Sequence, residues 1–215
     1  MINAGILAAA GGAIPSGEAV LTTYTYNGSW TAPAGVTSVC VVLIGAGGAA
    51  VQGTNIDRSA GGGGALVYKN NIPVTPGTVY GYYLHSDGSS MFGLSAGAGD
   101  PAVLQTNVPS NGGVASSAGS PNGFYNGGKG EVLTGGTARE AVGGSTGTYT
   151  GVGPDGGQNG QTLYGPYAGS TYYGWGGGCS YSGTPSPAGP GGIRIVWGVG
   201  KSFPYNAYTR RYSGY

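Results

Sequence analysis

The strongest indication of the fold in this chain is the stretch Val36-Thr37-Ser38-Val39-Cys40-Val41-Val42-Leu43-Ile44. It is the most apolar stretch of the 215 residues, and β-branched side chains dominate it. Pro33-Ala34-Gly35 precedes it and Gly45-Ala46-Gly47-Gly48 follows it. A short apolar stretch of this composition between turn residues predicts a buried central strand rather than a helix.

Further strand patterns lie on both sides of this stretch at a spacing of about ten residues, and the chain shows no helical periodicity. Asn27-Gly28 predicts a hairpin turn within residues 22–30, and Lys69-Asn70-Asn71 predicts a turn between two strands. The sequence therefore predicts an all-β fold, a small β-sandwich. Its other predicted strands are residues 65–68, 72–75, 78–84, 90–93, 102–105 and 192–198.

The composition narrows the class of protein. Gly accounts for 50 residues and Pro for 13, a level typical of low-complexity chains. Disordered chains usually carry high net charge and few aromatics, whereas this one has 7% charged residues, a net charge of +1 and 17 Tyr. We expect an ordered structural protein and not an ordinary helical enzyme. Because so many glycines cost backbone entropy on folding, we also expect a homo-oligomer or a subunit present in many copies.

The glycine-rich region, residues 106–191, has two interpretations. One is a long flexible linker. The other is an ordered insertion of polyglycine-II-like helices or ordered loops, in which backbones without side chains approach and exchange lateral hydrogen bonds. If the strand at 192–198 pairs with the first sheet, both ends of the insertion are anchored. The predicted organisation is a docking segment at 1–22, helical or extended, sandwich strands at 23–105, the insertion at 106–191, and a closing strand with a C-terminal arm at 192–215.

Motifs for catalysis or cofactor binding are weak. Gly45-x-Gly47-x-x-Ala50 after a strand matches a dinucleotide-binding turn, yet no helical pattern follows it. His85, Ser86 and Asp87 are adjacent in sequence, whereas a catalytic triad converges from separate segments, so a strand-to-turn position is the better interpretation. One His and two Cys give no metal-ligand spacing, and we expect no metal and no cofactor. The seven dispersed carboxylates leave sugar hydrolysis open as an unsupported alternative.

The two cysteines, Cys40 and Cys179, permit one disulfide, although a buried free thiol is the simpler interpretation of Cys40. The Ala-rich N-terminus resembles the apolar part of a secretion signal but has no Lys or Arg before Arg58. No apolar run reaches the length of a membrane span, so we expect no membrane insertion.

Aromatic side chains in an uncharged stretch, residues 156–193, are the predicted recognition surface. Tyr and Trp offer rigid contact area, and Ser and Gly offer adaptable hydrogen bonding, as in antibody loops. The ligand would be a host-surface glycan or a cell-surface protein; alternatively, the rings shield glycine backbone. The candidate residues are Tyr164, Tyr167, Tyr172, Tyr173, Trp175 and Tyr181.

The C-terminal arm combines Tyr with Arg. Four cations and no acid follow Asp155, too few and too scattered for nucleic-acid binding, so we expect no nucleic-acid partner. Tyr and Arg are enriched at protein interfaces, which favours docking on a neighbouring subunit. The candidate docking residues are Tyr205, Tyr208, Arg210, Arg211, Tyr212 and Tyr215.

Four parts of the sequence resemble the glycine-rich domain of bacteriophage tail-fibre and adhesin proteins. They are Trp30 to Val39 leading into Ile44-Gly45-Ala46-Gly47-Gly48, then Val74-Thr75-Pro76-Gly77, Met91-Phe92-Gly93, and Gly191 to Gly198. The resemblance covers about residues 24–204, and its two ends are more specific than its middle. It implies a β-sandwich base with layers of glycine helices, which in T-even phage fibre-tip adhesins present variable loops to host receptors.

This resemblance implies a non-enzymatic virion protein of the tail fibre or tail tip, assembled in the host cytoplasm, whose partners are other virion proteins and a host glycan or outer-membrane protein. Because only about twenty residues precede the predicted sandwich, we expect no large N-terminal attachment domain like that of the adhesins, and the middle of the sequence has fewer long glycine runs than theirs. These departures favour the alternative of a purely structural virion subunit, such as a fibre knob, baseplate component or capsid decoration.

Overall fold

The computed structural model of the protein describes residues 15–22, 25–52, 58–103, 108–133, 141, 143–148, 167–168, 171–172, 185 and 187–204. No helix occurs among them, and hence none long and apolar enough to cross a membrane. The strands are β1 (Gly17–Leu21), β2 (Thr25–Thr31), β3 (Ser38–Ile44), β4 (Val51–Gln52), β5 (Arg58–Ser59), β6 (Leu66–Pro73), β7 (Val79–His85), β8 (Gly88–Met91), β9 (Leu94–Gly97), β10 (Gly123–Tyr125), β11 (Val132–Leu133), β12 (Tyr167–Ala168), β13 (Thr171–Tyr172) and β14 (Gly192–Trp197).

Two antiparallel sheets form the sandwich, which confirms the all-β prediction. A five-stranded sheet has the order β1-β14-β3-β6-β10, and a four-stranded sheet has the order β2-β7-β8-β9. The strand Ser38–Ile44 is central, as its apolar sequence predicted: six of its seven residues are buried. β14 pairs with it from Gly192↔Ile44 to Val196↔Cys40, so the closing strand does return to the first sheet.

The core lies between the two sheets. Val41, Leu43 and Ile195 of the five-stranded sheet pack in one cluster with Trp30 and Leu94 of the four-stranded sheet. The opposite face of the five-stranded sheet is also buried, in a second cluster that includes Val42, Leu66 and Phe203. Because both faces of β3 are buried, its sequence is continuously apolar rather than alternating.

Two predicted turns are wrong, and both stretches lie within strands. Asn27-Gly28 lies inside β2, where the register against β7 shifts between Thr25 and Gly28. Lys69-Asn70-Asn71 lies inside the continuous strand β6, whose pairing with β3 shifts between Val39 and Val41. Asn71 has a φ of 56°, which Asn tolerates better than most residues. In both places the chain forms a local irregularity of the strand and does not reverse direction.

Other strand predictions shift by a few residues. The predicted strand at 90–93 is β8, which ends at Met91, because Phe92 and Gly93 form a turn with positive φ. Ala102 and Val103, predicted to begin a strand, lie outside the strands, and residues 104–105 are outside the described part of the chain. Within the docking segment predicted at 1–22, residues 17–21 form β1, an edge strand paired with β14.

Glycine-rich segments extend from the sandwich as a bundle, which we call the glycine bundle. Its central segment, residues 60–65, contacts its neighbours with a three-residue period. Ala60 and Gly63 donate to the carbonyls of Glu131 and Gly128, and Gly62 and Ala65 donate to those of Asp100 and Gly97. A period of three is the helical repeat of polyproline II and polyglycine II. The bundle comprises residues 45–50, 60–65, 97–102, 110–115, 126–131, 143–147 and 187–191.

The ordered interpretation of the glycine-rich region is therefore confirmed for its described residues, and three segments before residue 106 join the same lattice. Glycine is required here by space. A Cβ on Gly48, Gly61 or Gly63 would lie far inside van der Waals contact of a neighbouring carbonyl oxygen. None of these three has a positive φ. The same approach places Cα hydrogens against carbonyl oxygens, a weak attraction that recurs in close-packed backbones.

Candidate functional site: the distal end of the glycine bundle

The glycine bundle has a fixed polarity relative to the sandwich. Residues 45–50 continue β3 outward, and residues 60–65 return into β6, with Gly45 donating to Ala65 O at 2.9 Å and Gly48 to Gly62 O at 2.8 Å. Two further excursions follow the same plan. Residues 97–102 leave β9 and return through 110–115, and residues 126–131 leave β10 and return through 143–147. All three excursions turn back at one end, which we call the distal end.

Short strands tie the distal end together. β5 pairs with β4 through Val51↔Ser59 and with β11 through Val132↔Ser59, so the first and third excursions share a three-stranded sheet. Ala102 donates to Ala49 O at 2.8 Å, which joins the second excursion to the first. Ala50, Ala60, Leu133 and Ala141 form a small buried cluster beneath this sheet. These paired strands and the cluster, which we call the distal platform, tie the described ends of the excursions together.

The opposite end of the molecule, the base, holds the described ends of the chain. β1 begins where β14 ends, since Gly17 pairs with Trp197. Cys40 Sγ donates to Lys201 O at 3.3 Å, and the Asn70 side chain accepts from Phe203 N at 2.8 Å and donates to Phe203 O at 2.7 Å. Residues 15–22 and 198–204 are therefore anchored on the sandwich, away from the distal end.

Two of the six predicted recognition residues belong to the described part of the chain. Tyr167 and Tyr172 lie in a two-stranded ribbon, where they pair directly across β12 and β13. Tyr164, Tyr173, Trp175 and Tyr181 lie outside the described residues, as do all six predicted docking residues of the C-terminal arm. Their roles stay predictions.

His85, Ser86 and Asp87 occupy the end of β7 and the turn to β8, as the sequence predicted. Ser86 Oγ lies 3.1 Å from His85 Nδ1, and Asp87 Oδ1 lies 3.7 Å from the same nitrogen. A serine hydrolase triad places the serine and the carboxylate on opposite ring nitrogens. With both partners at Nδ1, this arrangement cannot relay a proton from Ser86 to Asp87 through the ring.

The other candidate motifs have structural explanations. Gly45-x-Gly47-x-x-Ala50 continues into β4, and its glycines pack against other glycine segments. Within the described residues, no group of three His, Cys, Asp or Glu side chains could hold a metal. Cys40 is a free, buried thiol, and its burial raises its pKa above the ordinary value, so it stays protonated near neutral pH.

Sequence reasoning missed the distal platform. Its strands are two residues long, which is too short to show a hydrophobic period in the sequence. The one feature of the sequence that indicates them is a short non-glycine stretch between two glycine-rich segments. It also missed two apolar side chains at this end, Val103 and Val108, which are 58% and 66% exposed.

Neither a scan against models of known protein families nor a search of curated protein sequences found a match to this chain.

Proposed function

We propose that this chain is a non-enzymatic virion protein of a bacteriophage tail fibre or tail tip, which displays aromatic, glycine-rich loops for host-receptor binding. The observation that carries the proposal is the polarity of the molecule. Three excursions of the chain turn back at the distal end, while residues 15–17 and 198–201 lie at the base. An adhesin requires this separation, because the surface that binds the host must face away from the particle.

The close-packed lattice suits display because it leaves the excursions little freedom. Each pair of neighbouring segments is joined through backbone donors and acceptors, as in Gly97 to Val114 O at 3.0 Å and Asp100 to Asn111 O at 2.9 Å. Rigid presentation lowers the entropy lost on binding, and several copies on one particle convert weak contacts into effective attachment. Few charges are needed for this mechanism, in keeping with the 7% charged residues.

The proposed receptor-binding residues are Tyr172, Tyr173 and Trp175, within the wider aromatic set. We expect that phage carrying all three as Ala assemble normally but adsorb to host cells at least about tenfold more slowly, because avidity multiplies the loss at each copy. Phe124→Ala is the control, since Phe124 is an exposed aromatic on the sandwich edge strand β10. Normal adsorption of the triple variant would contradict the proposal.

A purely structural virion subunit is the second candidate, favoured by the close placement of residues 15–17 and 197–201 at the base. On this proposal, deletion of residues 205–215 blocks incorporation into particles, whereas the triple aromatic variant behaves as wild type. Incubation of the purified protein with host polysaccharide tests the enzymatic alternative, and release of sugar would overturn both proposals.

A further inference from the structure

The outer face of the four-stranded sheet carries a row of neutral polar side chains that crosses every strand. Tyr83 pairs with Ser90, and Ser90 pairs with Ser95. Asn27 completes the row, because its neighbour Gly28 pairs with Tyr82, the residue before Tyr83. Alternate residues of these strands, such as Tyr82, pack into the core, so the row faces the other way.

A groove of about 630 Å³ runs along this row. Gly81 forms part of its floor, since it is exposed and a Cβ built on it would meet only Gly28 O, at 4.0 Å. Ser29 lies directly opposite Gly81 on β2 and is exposed. The groove is thus open, and the hydroxyl and amide groups of the row form its polar lining. Its apolar lining residues, Tyr82, Met91, Phe92 and Leu94, are buried in or packed against the core cluster of the sandwich.

The ring of Tyr83, the aromatic member of the row, is held in place. Tyr83 donates its hydroxyl hydrogen to Asp87 Oδ1 at 2.6 Å, and its ring lies 6.3 Å from the His85 ring. A ring fixed before binding loses little entropy when a ligand packs against it. Asp87 is the acidic group nearest to the row, and it lies at the rim, in the turn between β7 and β8.

We infer that this face, which we call the Tyr83 platform, binds a neutral glycan. A sugar ring has C–H groups on its faces and hydroxyls at its edge. The electron-rich face of Tyr83 attracts such C–H groups, and Asn27, Ser90 and Ser95 donate to and accept from hydroxyls. The row holds no charged side chain, which matches an uncharged sugar and gives an anionic one no cation to pair with.

The polar row disfavours a protein partner. Protein interfaces depend on clusters of aromatic, apolar or Arg anchors that insert into pockets of the partner, whereas the row offers one such side chain, Tyr83, whose hydroxyl is bonded to Asp87. The inference goes beyond the proposed function, since the Tyr83 platform lies on the sandwich and contains none of the aromatic residues assigned to host binding. An experiment can therefore contradict the glycan-binding inference without contradicting the proposed function, and the reverse also holds.

The test is direct titration of the purified protein with free neutral hexasaccharides of glucose, mannose, galactose and N-acetylglucosamine, followed by amide NMR shifts. We expect at least one to bind with a Kd at or below about 1 mM and to shift the amides of β7, β8 and β9. Tyr83→Ala should weaken binding by about tenfold or more. Val79→Ala is the matched control, because Val79 lies exposed on the same strand, outside the row.

Gly81→Val separates loss of binding from loss of folding. Gly81 has no positive φ and open space above it, and a β-branched residue suits a strand, so we expect a folded protein of equal or higher stability. The added side chain fills the groove and should weaken binding by about tenfold. The variant with Tyr172, Tyr173 and Trp175 as Ala should bind the hexasaccharide as wild type does.

Three results would overturn the inference. The first is that wild-type protein binds none of the four sugars. The second is unchanged binding in both Tyr83→Ala and Gly81→Val. The third is concentration-dependent dimerisation in sedimentation that Gly81→Val abolishes, which would assign the groove to a second copy of the chain instead.

Discussion

At the scale of the residue, glycines of this chain serve different physical purposes. Gly63 belongs to the lattice, where a Cβ would lie against the carbonyl oxygens of Gly144 and Ser145. Gly77 has a φ of 77° in the turn before β7 and open space around it, so its role is conformational. Gly81 has neither a close backbone neighbour nor a positive φ. Sequence composition treats the three alike, whereas the structure predicts different responses to substitution.

Gly63→Ala should destabilise the protein by about 1–2 kcal/mol. The neighbouring atoms are backbone carbonyls, which cannot move without breaking lattice hydrogen bonds, and overpacking of this kind typically costs about 1–3 kcal/mol. The lower chain entropy of alanine in the unfolded state offsets part of the cost. Urea unfolding followed by tryptophan fluorescence gives the free energy of unfolding.

Gly81→Ala is the matched control for that measurement, since its Cβ projects into open space. It should leave the free energy of unfolding unchanged or raise it by about 0.5–1 kcal/mol. Equal destabilisation by the two substitutions would mean that close backbone packing does not explain the glycine content.

At the scale of the element, a partly buried ion pair joins the first strand to its neighbour β14, in addition to the backbone pairing of the two strands. Arg194 on β14 is buried, and its Nε and Nη2 both donate to Glu18 Oε2 on β1, at 3.1 and 2.7 Å. Glu18 is half exposed, which reduces the strength of the pair. β14 pairs with β3 on its other side, so only β1 relies on this contact for its attachment.

Glu18→Gln should therefore loosen β1 selectively. We expect hydrogen exchange at residues 17–21 to become roughly fivefold faster, the equivalent of about 1 kcal/mol in local opening. Residues 193–196 provide the internal control, because their pairing with β3 remains. Uniform acceleration across the five-stranded sheet would show that the ion pair stabilises the whole fold and not this strand.

The sequence predicted the strands whose apolar side chains are buried in the core. Residues 38–44 and 192–197 are recognisable because their apolar side chains face a core. The turn predicted at Asn27-Gly28 was wrong because a turn preference is local. The pairing of β2 with β7 before and after this dipeptide outweighs that preference. The glycine composition predicted a lattice as a type of structure. It could not predict which segments pack together, because their packing depends on contacts between residues distant in sequence, such as those of Gly63 with Gly113 and Gly128.

The candidate site was less predictable than the fold. The aromatic residues near 164–181 stand out by composition, yet the distal platform consists of two-residue strands around Ser59 whose pairing only the assembled bundle produces. The Tyr83 platform depends on register, because a shift of one residue would turn Tyr83 into the core and Tyr82 outward.

At the scale of the whole molecule, the sandwich and the glycine bundle are continuous with each other. The bundle segments at 45–50, 60–65 and 187–191 run without interruption into β3, β6 and β14. Ser89 Oγ of the four-stranded sheet also donates to Ile44 O, at the junction of the two parts, at 3.1 Å. The lattice has little apolar surface of its own, so its stability depends on the sandwich that fixes the ends of its segments.

We therefore expect the bundle and the sandwich to unfold together. Trp30 reports on the core, since it is buried and its ring lies 6.0 Å from that of Trp197. The amides of Gly62, Gly63, Gly113 and Gly128 report on the lattice, because each donates within it. In urea, fluorescence and exchange protection of these amides should give the same midpoint, the signature of a two-state transition.

Gly63→Ala sharpens this test because it changes only the lattice. If the two parts are coupled, the variant lowers both midpoints equally, although Trp30 lies in the sandwich core. If the glycine amides instead exchange at the rate of an unstructured chain while Trp30 remains buried, the lattice is not a fixed support. The distal end would then lack the rigidity that receptor display requires, and the proposed function would lose its physical basis.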